Sequence, residues 1–309
     1  MTRIALVGHG KTLDILQAQL PDLAPAFEVV RIAHGKTCDN AEVAICWHPP
    51  QGSFARLPKL RLVHSIAAGC DHILADTSLP PEIPVCRIVD GGQQQGMAEF
   101  ALWAVLHYHR RMDQVIAQRT RHHWFTPLQA ATSACRVGVM GLGALGTCVA
   151  ERLASHGFSV RGWARTPKHL AGVECFVGMT ELNEFLEGLD ILICLLPLTP
   201  DTHGILNTAV MSQLAQQAVL INLGRGEHLV RPDLTTALDS GQLRGALLDV
   251  FDTEPLPTGD PLWSDKRVLI TPHMASSSSS NAIAKQVIDN IQRLMQGRPL
   301  RHTINHQGY

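Results

Sequence analysis

Short apolar runs separated by polar, helix-compatible stretches repeat along this chain. Arg3–Gly8 is the first and closes on glycine; Glu28–Ile32, Val43–Cys46, Leu62–Ser65 and Val85–Arg87 follow, with a helical pattern over Leu13–Leu20. Short strands alternating with helices predict an α/β layer on a parallel sheet. From about Gln94 to Arg121 the period changes: Met97, Ala101, Val105, Tyr108 and Met112 recur at helical spacing and predict one long helix. A second series of runs then starts at Arg136–Met140. It continues through Ser159–Trp163, Val173–Val177, Ile191–Leu196, Ala218–Leu223, Ala246–Val250 and Val268–Ile270. With helices over Ala144–His156 and Asp233–Leu238, that series makes a complete doubly wound domain. A last helix, about Ser278–Gln296, is expected to return to the first domain, its start marked by the capping hydroxyls of Ser276–Ser280.

Length agrees with this division, since 309 residues at roughly 150 per domain predict two domains. The expected architecture is α/β, with two doubly wound parallel-sheet domains, Rossmann and flavodoxin-like, and a cleft between them. Residues 1–97 with 279–309 form a discontinuous substrate-binding domain around a nucleotide-binding domain at 98–278. Net charge is −1, which offers no field for nucleic acid or a membrane surface. No apolar stretch approaches the ~20 residues needed to cross a bilayer, and Met1–Val7 reads as a first strand rather than a signal peptide. Eight scattered cysteines form no C-x-x-C pair, and some sit within strand-like runs, as Cys46 and Cys194 do. That usage suits a reducing cytoplasm. Sixteen histidines invite a metal reading, but His107/His109, His122/His123 and His302/His306 lack a supporting ligand frame, and no metal is expected. His9-Gly10-Lys11-Thr12 and His34-Gly35-Lys36-Thr37 end like phosphate loops. Ala5 and Val30 stand where that motif needs its first glycine, so ATP binding is rejected. The stretch 94–125, which ends in His122-His123-Trp124-Phe125, is where a homodimer contact is expected.

The chemistry concentrates at strand ends. Gly141-x-Gly143-x-x-Gly146, with Ala144 and Leu145 between the glycines, follows a strand and opens a helix, the context of a dinucleotide fingerprint. An NAD site carries an acidic residue ~20 residues further on, for the ribose 2′-hydroxyl. Here Ala164-Arg165-Thr166-Pro167-Lys168 holds no acid and two cations, so NADP(H) is expected over NAD(H). Arg225 closes one strand and His273 another, with Glu254 between them in sequence. An arginine fork matches a carboxylate or keto oxygen, and a histidine can give a proton to a carbonyl oxygen as a hydride reaches its carbon. An acid bonded to that histidine would favour its charged form.

The order Gly141–Gly146, Leu195-Leu196-Pro197-Leu198-Thr199, Asn222-Leu223-Gly224-Arg225-Gly226, Leu248–Phe251 with Glu254-Pro255-Leu256, and Thr271-Pro272-His273 resembles the D-isomer-specific 2-hydroxyacid dehydrogenase family over essentially the whole chain. Cys46-Trp47-His48-Pro49-Pro50, Ala67–Asp71, the Ala164-Arg165 rim and the Gly308-Tyr309 end are similar to its glyoxylate/hydroxypyruvate reductase A branch. The resemblance implies Arg225 as substrate anchor, His273 as acid/base and Glu254 as its tuner. It implies that the Ala68 and Gly69 N–H groups hold the substrate carboxylate near Trp47. It places Asp249 by the nicotinamide, with Leu196, Pro197 and Leu223 also on the cofactor. The expected activity is NADPH-dependent reduction of small 2-ketoacids, glyoxylate to glycolate and hydroxypyruvate to D-glycerate. The alternatives are another D-2-hydroxy acid and a non-catalytic, dinucleotide-sensing corepressor-like protein.

Overall fold

The computed structural model describes residues 2–32 and 35–304; His34, His306 and the Gly308-Tyr309 end singled out above lie outside them. The chain forms two compact units, Met1–Gly92 with Ser277–Tyr309, and Gln93–Ser276.

The first unit begins with strands β1 (Thr2–Gly8), β2 (Phe27–Arg31), β3 (Ala41–Trp47), β4 (Leu62–Ser65) and β5 (Val85–Cys86), and helices α1 (Lys11–Leu23) and α2 (Asp71–Leu74). Helix α3 (Gly91–His109) follows, then α4 (Met112–Arg119). The second unit continues with β6 (Arg136–Met140), α5 (Ala144–Ser155), β7 (Ser159–Ala164), β8 (Val173–Val177), α6 (Leu182–Leu186) and β9 (Ile191–Cys194). After these come α7 (Thr208–Met211), β10 (Ala218–Asn222), α8 (Arg231–Asp239), β11 (Leu243–Leu248) and β12 (Val268–Ile270). Helix α9 (Ser280–Met295) and strand β13 (Thr303–Ile304) complete the first unit.

Sheet order in the first unit is β13-β5-β4-β3-β1-β2, parallel except for β13, which runs antiparallel to β5. In the second it is β12-β11-β10-β9-β6-β7-β8, parallel throughout. Each order reverses direction once, beside β1 and beside β6, and α/β sheets bind ligands at such points. Strand alternation explains why these runs are apolar at every position. In β6, Met140 enters one core while Val137 and Val139 enter the other; in β1, Ile4 and Leu6 face one side and Ala5 and Val7 the other. Helices α1 and α9 cover the same face of the first sheet through Leu13, Leu16, Leu20, Ile283, Val287 and Ile291. The Ser279 hydroxyl caps α9 by accepting from the Ala282 N–H, at 3.2 Å.

The single long helix expected over 94–121 is instead two. Arg111 adopts a left-handed φ of 56° between α3 and α4. The Arg244 guanidinium of β11 donates to the Tyr108 carbonyl at 2.8 Å and also grips Asp113, in the first turn of α4. A carbonyl at the end of one helix and an acid at the start of the next are thus held by one cation, which no local periodicity could disclose.

Candidate active site

The glycine loop sits at the reversal of the second sheet, and each glycine has its own reason to lack a side chain. Gly141 has φ of 101°, and a Cβ there would lie 2.7 Å from the Leu195 carbonyl oxygen. At Gly146 it would lie 1.8 Å from the Gly141 oxygen, so loop and helix pack backbone to backbone. A Cβ on Gly143 would meet nothing within 4 Å, leaving open space in front of the start of α5. No side chain caps that helix end, whose first N–H groups suit a phosphate. Ala144 and Leu145 form its half-buried first turn, and Leu196, Pro197 and Leu223 stand beyond β9 and β10. Ala164 ends β7 buried, and Arg165, Thr166 and Lys168 follow it exposed. These residues fit a dinucleotide whose ribose carries a 2′-phosphate.

Three further side chains stand beyond β10, β11 and β12: His273 and Glu254 in contact, and Arg225 near enough for its charge to act on Glu254. The His273 ring nitrogen Nδ1 lies 2.7 Å from Glu254 Oε2, and Glu254 Oε1 accepts the Phe251 N–H at 2.9 Å. Burial alone would push Glu254 up, but the His273 and Phe251 bonds, with the charges of His273 and Arg225, outweigh it. The carboxyl is held below its ordinary value and stays ionised. The half-buried Arg225 donates from Nη1 to the Gly224 carbonyl at 2.8 Å. Gly226 explains how the arginine turn and the glutamate loop come so close: a Cβ there would fall 1.9 Å from the Phe251 carbonyl carbon.

Asp249 lies beneath this group, 1% exposed. Its Oδ1 accepts from the Thr271 hydroxyl at 2.6 Å and the Met274 N–H at 2.9 Å; its Oδ2 accepts from the Ala275 N–H at 2.9 Å. The Asp249 carbonyl accepts the His273 N–H at 2.8 Å, and His273 itself takes a left-handed φ of 50°. Asp249 therefore braces the loop that presents the histidine.

In the first unit, Trp47 ends β3 half-buried, its ring 4.5 Å from that of His48 and 4.9 Å from that of His72. Ala68 and Gly69 lie on the half-buried loop after β4, where the Ser65 hydroxyl donates to the Gly69 carbonyl at 3.0 Å and accepts the Ala67 N–H. Three residues of the second unit's site have roles that the sequence did not disclose: Asn222 and Thr271, named above only as members of their motifs, and His228. The available signal was polarity, since Asn222 is the one polar residue of β10 and is fully buried. Among the described residues no group of three or more His, Cys, Asp or Glu could hold a metal ion.

Residues 102–275 match the model of the D-isomer specific 2-hydroxyacid dehydrogenase NAD-binding domain. Over 295 residues the chain is 39% identical to a glyoxylate/hydroxypyruvate reductase A of Enterobacter sp. (strain 638), which covers 93% of this chain and 94% of the relative. An NADPH-dependent glyoxylate/hydroxypyruvate reductase of Sinorhizobium meliloti, solved with NADP and sulfate, superposes with a TM-score of 0.93 at 34% identity over the full length of both chains. A D-isomer specific 2-hydroxyacid dehydrogenase of Xanthobacter autotrophicus Py2, solved with NADPH and MES, gives 0.93 at 37% identity over 99% of this chain and 98% of the other.

Proposed function

The chain belongs to the D-isomer-specific 2-hydroxyacid dehydrogenase family, and from that premise we propose that it reduces small 2-ketoacids, glyoxylate and hydroxypyruvate foremost, with NADPH. The observation that carries this reading is the 2.7 Å pairing of His273 with Glu254, placed beside Arg225 on neighbouring strand ends. Bound NADPH supplies the hydride that the carbonyl carbon receives. Arg225 holds the ketoacid by its carboxylate and keto oxygen, where a planar fork fits both. Glu254 fixes the ring through Nδ1, so Nε2 is the atom that gives its proton to the keto oxygen. Hydride on carbon and proton on oxygen complete the hydroxy acid, with D configuration where the product is chiral. To the N–H groups of Ala68 and Gly69, beside Trp47, we assign a share in binding the substrate carboxylate.

Gly141, Gly143, Ala144, Leu145 and Gly146 hold the pyrophosphate; Leu196, Pro197 and Leu223 line the nicotinamide side. Arg165, Thr166 and Lys168 take the 2′-phosphate, which an acid at Ala164 would repel. A homodimer through 94–125 and a cytoplasmic location complete the reading. The latter is supported by eight cysteines that form no disulfide among the described residues.

Steady-state kinetics with a series of 2-ketoacids and both cofactors test the proposal. His273→Ala and Arg225→Ala should each lower kcat/KM for glyoxylate by about a hundredfold or more. Full activity in either variant would overturn the mechanism, and a preference for NADH would overturn the cofactor assignment.

A further inference from the structure

The substrate arginine does not hold itself in place. Its backbone is gripped on both sides by side chains that have no exposed surface, Asn222 and His228. Asn222 Nδ2 donates to the Arg225 carbonyl at 2.8 Å, while its Oδ1 accepts the Gly224 N–H at 3.1 Å. The Arg225 N–H donates to His228 Nδ1 at 2.9 Å. On the far side of the ring, Nε2 lies 3.3 Å from the Pro197 carbonyl oxygen. A backbone N–H can only donate and a carbonyl can only accept, so these two neighbours dictate the ring's protonation. Nδ1 is bare, Nε2 carries the proton, and the imidazole is neutral.

The surroundings are shaped to this ring. A Cβ on Gly224 would lie 2.8 Å from Nδ1 and 2.9 Å from Cε1, so the first glycine of Gly224-Arg225-Gly226 is the seat of the imidazole. The turn that carries the ring is tied down as well: the Leu206 N–H donates to the His228 carbonyl at 2.8 Å and the Gly204 N–H to the Glu227 carbonyl at 2.9 Å. Pro197 belongs to the loop after β9, assigned above to the nicotinamide side, and its carbonyl also accepts from the Thr202 hydroxyl at 2.6 Å.

We propose that His228 is a positioning residue for ketoacid binding: it sets the backbone direction from which the Arg225 guanidinium departs and ties that direction to the Pro197 loop. This inference rests on Arg225 being the substrate anchor. A buried imidazole used only as filler would need neither partner and could be exchanged for an apolar side chain of similar volume. A positioning imidazole needs Nδ1 as an acceptor, and losing that acceptor leaves a buried N–H without its bond.

Two half-replacements separate the roles. Asparagine can place Oδ1 where Nδ1 stands and keep the bond to the Arg225 N–H. Glutamine can place Nε2 near the ring's Nε2, keeping the Pro197 donor and dropping the Arg225 acceptor. His228→Gln should raise KM for glyoxylate about tenfold or more, with the NADPH dissociation constant within about twofold of the parent. His228→Asn should restore most of that loss. Equal effects of both variants on KM, no effect of either, or NADPH binding weakened as much as ketoacid binding would each overturn the proposal. A second readout uses the unmodified protein and no turnover: long-range 15N–1H spectra of the histidine-labelled chain should show the His228 proton on Nε2 at pH 7. A proton on Nδ1, or an imidazolium, would overturn the inference whatever the activity. A parent protein that reduces no 2-ketoacid but shows the Nε2 tautomer would end the proposed function and leave the backbone clamp standing.

Discussion

His64 is fully buried in the first unit, and its two nitrogens are spoken for. Nδ1–H donates to the Ser65 carbonyl at 2.7 Å, and Nε2 accepts from Asn290 Nδ2 at 3.1 Å. Asn290 cannot turn over to serve a charged ring, because its Oδ1 accepts the Arg301 N–H and its Nδ2 also donates to the Arg301 carbonyl. Burial pushes His64 down to about 4, against the pull of the Ser65 bond and with help from His302. A group lowered from 6.5 in the unfolded chain to about 4 in the fold contributes its full stability above pH 6.5. It loses that contribution as pH falls towards 4. The difference amounts to roughly 3 kcal/mol. Urea unfolding at pH 7 and pH 4.5 should therefore show the first unit's midpoint falling steeply in the parent and much less in His64→Gln. Equal pH dependence in both would refute the assignment. Such residues are hard to read in a sequence. A polar residue inside an apolar run signals a buried bond, as Asn222 and Asp249 also do, but the partner lies far along the chain: Asn290 for His64, the 271–275 loop for Asp249. Arg225, Glu254 and His273 were legible because each closes its own strand or loop in a fixed motif.

Elements meet at these sites through glycines, and two of them make opposite predictions. Gly226 lets the arginine turn press on the Phe251–Asp252 backbone, where an added Cβ would lie 1.9 Å from the Phe251 carbonyl carbon and 2.0 Å from the Asp252 nitrogen. Neither is the yielding tip of a side chain. The loop carrying Glu254 is also anchored downstream, where Arg231 grips Asp260 at 2.6 and 2.7 Å, so it cannot retreat without cost. Gly226→Ala should lower the melting temperature by about 5 °C or more and reduce kcat/KM by about tenfold or more. Gly143→Ala meets nothing in the protein, so its melting temperature should stay within about 1 °C of the parent, while KM for NADPH rises about tenfold. Differential scanning fluorimetry and cofactor titrations check both; a stability loss at Gly143 or a neutral Gly226→Ala would contradict this account of the loops. The parallel strands themselves were plain in the sequence, because strands buried on both faces leave continuous apolar runs. The break between α3 and α4 was not, because the residue that makes it, Arg244, lies on β11.

The alternation of short strands and helices was enough to read two doubly wound layers; what covers their outer surfaces is another matter. Along α3, α4 and the segment after them, the second unit presents Trp103, Leu106, Met112 and Ile116 at 37–55% exposure. Beyond them Trp124 and Leu128 are 93% and 91% exposed. An open groove runs among Trp103, Leu106, Met112, Ile116 and Pro127. Apolar side chains gathered on one face and left in water carry a solvation cost that association removes. Self-association is the reading that fits a chain of net charge −1, which repels a second copy only weakly. Sedimentation of the parent protein at micromolar concentration should report about twice the 33.7 kDa chain mass. Placing a charge at the centre of the patch, as Ile116→Glu does, should shift the population to single chains, because a carboxylate cannot enter an apolar contact without a partner. The same substitution on a monomer would leave mass unchanged and, being half exposed, cost little stability. Circular dichroism melts run beside the sedimentation separate loss of contact from loss of fold. A parent that sediments as one chain, or an Ile116→Glu variant that remains paired, would remove 94–125 as the dimer contact.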